Sequence, residues 1–185
     1  EAHARLDWLP QETILFDGAR IARTIDVDMH PTARIVIGEC VVFGRTARHE
    51  AFASGRFTDR WRIHRNGTLV HAEAFDTDAL RDTGDHYGGD ALLSAPAALG
   101  PACAFGTLVA LGDNACDLLP AVRACLDAEA RAASAAPRRA HAAASAWNGK
   151  LVVRIIGATG QAVRGAMERV LPVVTGRPRP RVWNC

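Results

Sequence analysis

Apolar residues open the chain on one parity, Leu6 and Trp8 and, past Pro10, Ile14 and Phe16, which predicts short half-buried strands. Asp17-Gly18 supplies a turn. From Ala19 to Met29 the apolar positions Ile21, Ile25, Val27 and Met29 keep an even spacing, with Arg23, Asp26 and Asp28 among the polar positions. Pro31 breaks that strand. Ala33 to Phe43 follows as a nearly continuous apolar run, suited to a strand covered on both faces.

Asn66-Gly67 marks a hairpin, because both residues readily take the left-handed backbone of a two-residue type I′ turn. Counting back from Arg65 opposite Thr68 predicts one face of Trp61, Ile63, Val70 and Ala72. The other face then carries Arg60, Arg62, His64, His71 and Glu73, with Arg60 opposite Glu73. Asp59 falls on the apolar face, where a carboxylate needs a partner.

Residues 76–101 are rich in Asp, Gly, Ala and Pro and read as connection with one short strand. Phe105 to Leu111 predicts a strand. Asp113 is placed to cap a helix carrying Leu118, Leu119, Val122 and Leu126 on one face. The Ala-rich stretch from Ala128 to Ala144 reads as a solvated helix end and a loop. Ser145 to Ile156 reads as a hairpin turning at Asn148-Gly149. Gly160 opens a second helix with Val163, Met167, Val170 and Leu171 inward, and the Arg-Pro alternation at Arg177 to Arg181 reads as extended tail. The expected fold class is mainly β (α+β): antiparallel strands and hairpins with two helices in the C-terminal third. It forms one domain over 1–185, β-rich over 1–100 and strand/helix over 101–185.

With 49% hydrophobic and 23% charged residues, the 185-residue chain can bury a substantial core. Its net charge of +2 comes from 22 basic and 20 acidic residues spread along the sequence, which argues against nucleic acid as a partner. No apolar stretch is long enough to cross a bilayer as a helix and no secretory pattern opens the chain, so a cytoplasmic protein is expected. The cysteines Cys40, Cys103, Cys116, Cys125 and Cys185 form no C-x-x-C pair and read as small buried hydrophobes, Cys40 foremost. Cys185 is the one expected to be exposed.

For catalysis there is no G-x-S-x-G elbow and no phosphate-binding G-x-x-x-x-G-K-[ST] loop, so the chain is read as no enzyme. The alternative is a β-rich hydrolase with paired carboxylates such as Glu12 and Glu39, whose separation the sequence leaves open. His64 and His71 fall as diagonal neighbours on the polar hairpin face but lack a third metal ligand. His49 and Glu50 are adjacent and point apart on a strand. The tail Arg177, Arg179, Arg181 and Trp183 combines residue types enriched at interface hot spots.

Leu6-Asp7-Trp8-Leu9-Pro10-Gln11-Glu12-Thr13-Ile14 resembles the L-x-W-x-P-x-E-x-I segment of the UreD/UreH urease accessory family. Phe43-Gly44-Arg45 with Glu50 resembles its F-G-R-x-A-x-G-E stretch, although His49 stands where the family usually has glycine. Asp59-Arg60-Trp61, Trp147-Asn148-Gly149 with Val152-Val153-Arg154, and Pro180-Arg181-Val182-Trp183 complete the match in order. Family members usually carry a further β-rich segment upstream, so the chain is expected to lack it and to leave an edge unpaired.

The resemblance implies a non-catalytic scaffold that binds the urease apoprotein and recruits UreF-type and UreG-type accessory proteins, the latter a GTPase that delivers nickel. It also implies an internal passage for nickel in transit, with no tightly bound cofactor. Glu12, Glu39, Glu50 and Asp59 are the matched carboxylates for such a passage, each with an arginine ion pair (Arg45 or Arg60 nearby) as its structural alternative. Trp8, Gln11, Glu12, Arg45, Glu50, Asp59, Arg60, Arg181 and Trp183 are the motif positions carried over as partner-binding candidates.

Overall fold

The computed structural model describes residues 1–45, 48, 50–78, 99–132 and 140–184. Its strands are β1 (Arg5–Trp8), β2 (Thr13–Leu15), β3 (Arg20–Met29), β4 (Arg34–Phe43), β5 (Arg56–Arg65), β6 (Thr68–Asp76), β7 (Ala104–Leu111), β8 (Ala140–Trp147) and β9 (Lys150–Gly157). Two helices, α1 (Leu119–Ala132) and α2 (Gly160–Thr175), lie in the C-terminal third. The mainly-β expectation holds. The strand directions are more varied than expected, because β1 and β2 pair parallel to β4, and β3 pairs parallel to β5.

Three layers result. The larger sheet runs β1–β4–β7–β9–β8, with β2 beside β1 on the same side of β4, and the smaller runs β3–β5–β6. Both helices cover the outer face of the larger sheet. Period-two alternation sorts the apolar run of β4 between the two interfaces. Val36, Cys40 and Val42 join the core under the helices, while Ile35, Ile37, Val41 and Phe43 face the smaller sheet. A run with apolar residues on both parities is therefore a central strand buried on both sides, as its pattern predicted. Glycine lets α2 approach closely: a Cβ on Gly160 would lie 2.6 Å from a methyl of Val42, and one on Gly106 3.0 Å from Val163.

Four expectations change. Leu6, Trp8, Ile14 and Phe16 are half exposed and the inward residue of β2 is Leu15, both short strands lying at the edge of the larger sheet beside β4. The α1 helix begins at Leu119 after a 3-10 turn at Cys116–Leu118, so Asp113 does not cap it. The strand before Asn148-Gly149 starts at Ala140, in the Ala-rich stretch read as loop, because pairing with β9 overrides the weak strand propensity of alanine. The tail turns back as a 3-10 turn at Arg181–Asn184. Residues 79–98, which hold most of the expected connection, and Cys185 and His49 lie outside the described residues.

The hairpin of β5 and β6 departs in a way that matters. Arg65 faces Thr68 and His64 faces Leu69 as counted, but Ile63 faces His71, so Val70 is a β-bulge. One extra residue inverts every later side chain. His71 is buried and Glu73 turns inward while Ala72 and Ala74 turn out, and Arg60 faces Ala74 instead of Glu73. The Val70 carbonyl is taken by Lys150 Nζ of the other sheet at 2.6 Å, and that ammonium sits 4.7 Å from the centroid of the Trp147 ring.

Replacing Lys150 by Met leaves that carbonyl without its donor and is expected to lower stability by about 1–3 kcal/mol in urea unfolding. An unchanged midpoint would mean that Lys150 does not join the sheets. Trp183 is 3% exposed and packs in the core under the helices. Trp183→Ala is therefore expected to cost about 3–5 kcal/mol, with any loss of partner binding following the loss of folded protein in a melting comparison.

Candidate functional site

Edge strand β3 carries Ile21, Arg23, Ile25, Val27 and Met29 on one parity, and that parity faces the larger sheet. Arg23 is thus aimed into the sandwich. It meets two carboxylates that alternation also turns inward: Glu39 of β4 and Asp59 of β5. Arg23 Nη1 donates to Glu39 Oε2 at 2.8 Å, while Nε and Nη2 donate to the two oxygens of Asp59 at 3.0 and 2.5 Å. Nη1 also reaches Thr13 Oγ1 at 3.4 Å, and Trp8 Nε1 donates to Glu39 Oε1 at 3.1 Å. The Glu39 and Asp59 side chains are 3% and 7% exposed.

This cluster continues across the sandwich. Thr107 of β7, opposite Glu39 in register, donates to Glu73 Oε1 at 3.3 Å, and Arg154 of β9, opposite Thr107, donates to both oxygens of Glu73 at 2.7 and 3.2 Å. His71 Nε2 lies 3.5 Å from Glu73. A polar belt from Trp8 through Glu39, Arg23 and Asp59 to Glu73 and Arg154 therefore separates the two apolar clusters between the sheets. It reaches the surface at Arg154, beside a cleft of about 370 Å³ floored by Phe75, Leu99 and Phe105.

The charges are held differently along the belt. Burial pushes the Glu39 carboxyl up from its ordinary range, with the Arg23 charge and the Trp8 hydrogen bond opposing. Burial acts the same way on Glu73, but its bonds to His71 and Arg154 outweigh it and hold that carboxyl below the usual range. The Arg23 guanidinium is raised, its desolvation outweighed by the two carboxylates. On the helix side of the same strand the buried Cys40 thiol is pushed up to about 12, chiefly by burial, and is an inert core group.

Of the four matched carboxylates, only Glu39 and Asp59 come together. Glu12 lies toward α2, where Arg164 Nη1 donates to it at 3.3 Å, and Glu50 pairs with Arg45 and accepts from the Asp17 amide at 3.0 Å. Those bonds hold Glu50 below the ordinary carboxylate range. The body of the larger sheet separates Glu12 from Glu39, and each is tied to a different arginine, so the paired-carboxylate hydrolase has no common cleft. Glu12, Arg45 and Arg164 instead line a cleft of about 790 Å³ beside Thr159 and Gly160, where α2 begins.

The motif around Trp8 acts as a latch. Gln11 Nε2 donates to the Val182 carbonyl at 2.7 Å, Trp183 Nε1 to the Leu9 carbonyl at 3.0 Å, and Arg164 to the Trp183 carbonyl. Trp183 is accordingly a core residue and not the exposed anchor that its basic surroundings suggested. Arg60 and Arg181 are exposed. The bulge puts His64 and His71 on opposite faces, and His64 lies against Asp28 at 3.8 Å, so they share no site. Among the described residues no three His, Cys, Asp or Glu side chains cluster as metal ligands, and no helix is long and apolar enough to cross a membrane. Sequence reading missed Arg23, Glu73, Thr107 and Arg154. Arg23 was detectable, since it sits on the parity of Ile21, Ile25, Val27 and Met29, but the bulge that turns Glu73 inward leaves no mark in the sequence.

Fold and site together define a three-layer protein: a mixed two-sheet sandwich covered by two helices, with an ion-paired layer between its sheets. The profile of the UreD urease accessory protein family matches residues 1–184. This chain belongs to that family. It is 43% identical over 183 residues to urease accessory protein UreD 3 of Methylorubrum extorquens (strain PA1), covering 99% of this chain and 56% of that protein. Urease accessory protein UreD of Rhizobium johnstonii is 41% identical over 184 residues, covering 99% and 60%, and that of Methylobacterium sp. (strain 4-46) is 42% identical over 181 residues, covering 98% and 60%. The chain thus spans under two thirds of the length of these relatives. They carry the name of an accessory protein and not of an enzyme, in keeping with the sequence reading.

If Arg23 is what makes the buried acids tolerable, Arg23→Met should cost about 3–5 kcal/mol at neutral pH in urea unfolding. The sign of its pH dependence follows from Glu39. Its folded value already lies above the ordinary 4.5, so protonation stabilises the fold, and that contribution is lost as pH rises through the folded value. Removing Arg23 enlarges the effect, so the deficit of the variant should shrink as pH falls from neutral toward 4.5. A deficit independent of pH would show that charge is not its source.

Proposed function

We propose that this protein is a non-catalytic scaffold in urease maturation, which binds the urease apoprotein and recruits the UreF-type and UreG-type accessory proteins for nickel insertion. The observation that carries the reading is the edge of the sandwich. Leu6, Trp8, Ile14, Phe16 and Ile21 are 37–50% exposed and crowd into the first 21 residues, on or next to strands with an open side. Large apolar side chains gathered on sheet edges favour cover by another chain or segment. Family membership supplies the kind of partner.

The belt supports nickel as cargo in transit. Glu39 and Asp59 offer hard oxygen donors around one position, now filled by the Arg23 guanidinium, and an ion passing there would replace that guanidinium between them. Two carboxylates without a third ligand hold a divalent ion weakly enough to let it go. In cells with the urease operon, deletion of the gene should leave urease assembled but metal-poor, and the intact protein should co-purify with urease apoprotein and the UreF-type partner. Normal nickel content in the deleted strain would overturn the reading. Glu39→Gln should lower the nickel content of urease at least several-fold while the complex still forms; full loading would remove this belt from the route.

A further inference from the structure

Three arginines around the sandwich are answered by carboxylates. Arg23 lies between Glu39 and Asp59, Arg154 against Glu73, and Arg164 against Glu12. The end of the sandwich where the two Asn-Gly turns meet is different. There Arg65 continues the inward parity of Trp61 and Ile63. Its Nη1 lies 3.5 Å from the place a Cβ would take on Gly149, and its Nε and Nη2 have neither solvent contact nor a hydrogen-bond partner. The second cation at this end is Lys150, 8% exposed, whose ammonium is engaged by a neutral carbonyl and the Trp147 ring. Asp28, one residue before the strand partner of Arg65, faces His64 instead and is 92% exposed.

This end thus holds two cations, Lys150 buried and Arg65 with two of its three nitrogens shielded from water, and no carboxylate lies against either among the described residues. A desolvated, unpaired guanidinium is costly, and the cost is relieved when an anion joins it. The surroundings say what kind. Trp147, 45% exposed, flanks this end with its ring against the Lys150 ammonium, and a free inorganic ion would leave it uncovered. Arginine and tryptophan, partly desolvated together, are also what anchors protein interfaces.

We infer that the end of the sandwich formed by Arg65, Lys150 and Trp147 is a docking site for an acidic segment of a protein partner, a carboxylate meeting Arg65 beside Lys150 and an apolar neighbour covering Trp147. The site rests on the scaffold reading and adds a second surface to the apolar edge at β1 and β2, at the turn end of β5, β6, β8 and β9.

The test uses the intact protein, with Arg65→Met and Arg65→Lys beside the wild type, because Lys150 variants disturb folding. Affinities for urease apoprotein and for each accessory protein are measured by titration, with melting curves of the free variants, in chloride and in inorganic phosphate at equal ionic strength. Arg65→Met is expected to weaken one partner at least about tenfold, since the partner's carboxylate loses its buried counter-charge. Arg65→Lys should restore part of the affinity. The free Arg65→Met protein should melt no lower than wild type, because an unpaired buried charge has been removed. Equal affinities of wild type and Arg65→Met for every partner would overturn the site while leaving the scaffold reading intact. So would an effect of Arg65→Met confined to melting in phosphate, which marks an adventitious ion only. A wild type that binds none of the partners fails the scaffold reading itself, and the site falls with it.

Discussion

The Arg23 guanidinium joins the two sheets near their centre. Arg23 reaches from the edge strand of the smaller sheet to Asp59 on its own sheet and to Glu39 on the other, and the apolar clusters lie on either side of this contact. Replacing such a triad by apolar residues of similar volume often costs nothing, whereas removing one member is severe. A charged centre is therefore weak evidence of selection for stability and better evidence of a requirement for charge at that place. The elevated Glu39 shows the tension directly: even with Arg23 and Trp8 bonded to it, burial dominates.

Around that centre the matched motif residues divide their work. Trp8 orients Glu39, while Gln11, the Leu9 carbonyl and Glu12 tie the same segment to the C-terminal turn and to α2. Asp17, Arg45 and Glu50 brace a surface loop. Residues that in sequence look like contacts awaiting a partner are thus spent largely inside the chain. Arg60 and Arg181 remain exposed, as do several large apolar side chains along the sheet edges.

Much of this was readable because alternation is a local property. The Ala33–Phe43 run declared a central strand, the even spacing of Ile21, Ile25, Val27 and Met29 declared β3, and both Asn-Gly dipeptides sit in left-handed turns as expected. Asp59 fell on the apolar face by counting alone, and it is there. The hairpin went wrong at the third residue past its tip for a reason no pattern carries. Val70 bulges, its carbonyl finds Lys150 some eighty residues away, and from that point His71 and Glu73 belong to the interior.

By itself the sequence determined most of the strands, the inward parity of β3 and β5, the two-sided burial of β4 and the family, since these depend on short-range periodicity and on motifs in order. It also placed Glu39 and Asp59 where carboxylates would need partners. Which arginine answered them was decided only in three dimensions: neither Arg45 nor Arg60 but Arg23, brought there by the parallel pairing of β3 with β5. The burial of Trp183 and the exposure of Leu6 and Trp8 were settled the same way. Burial depends on which layer lies over a strand, and that is a property of chain segments far apart in sequence.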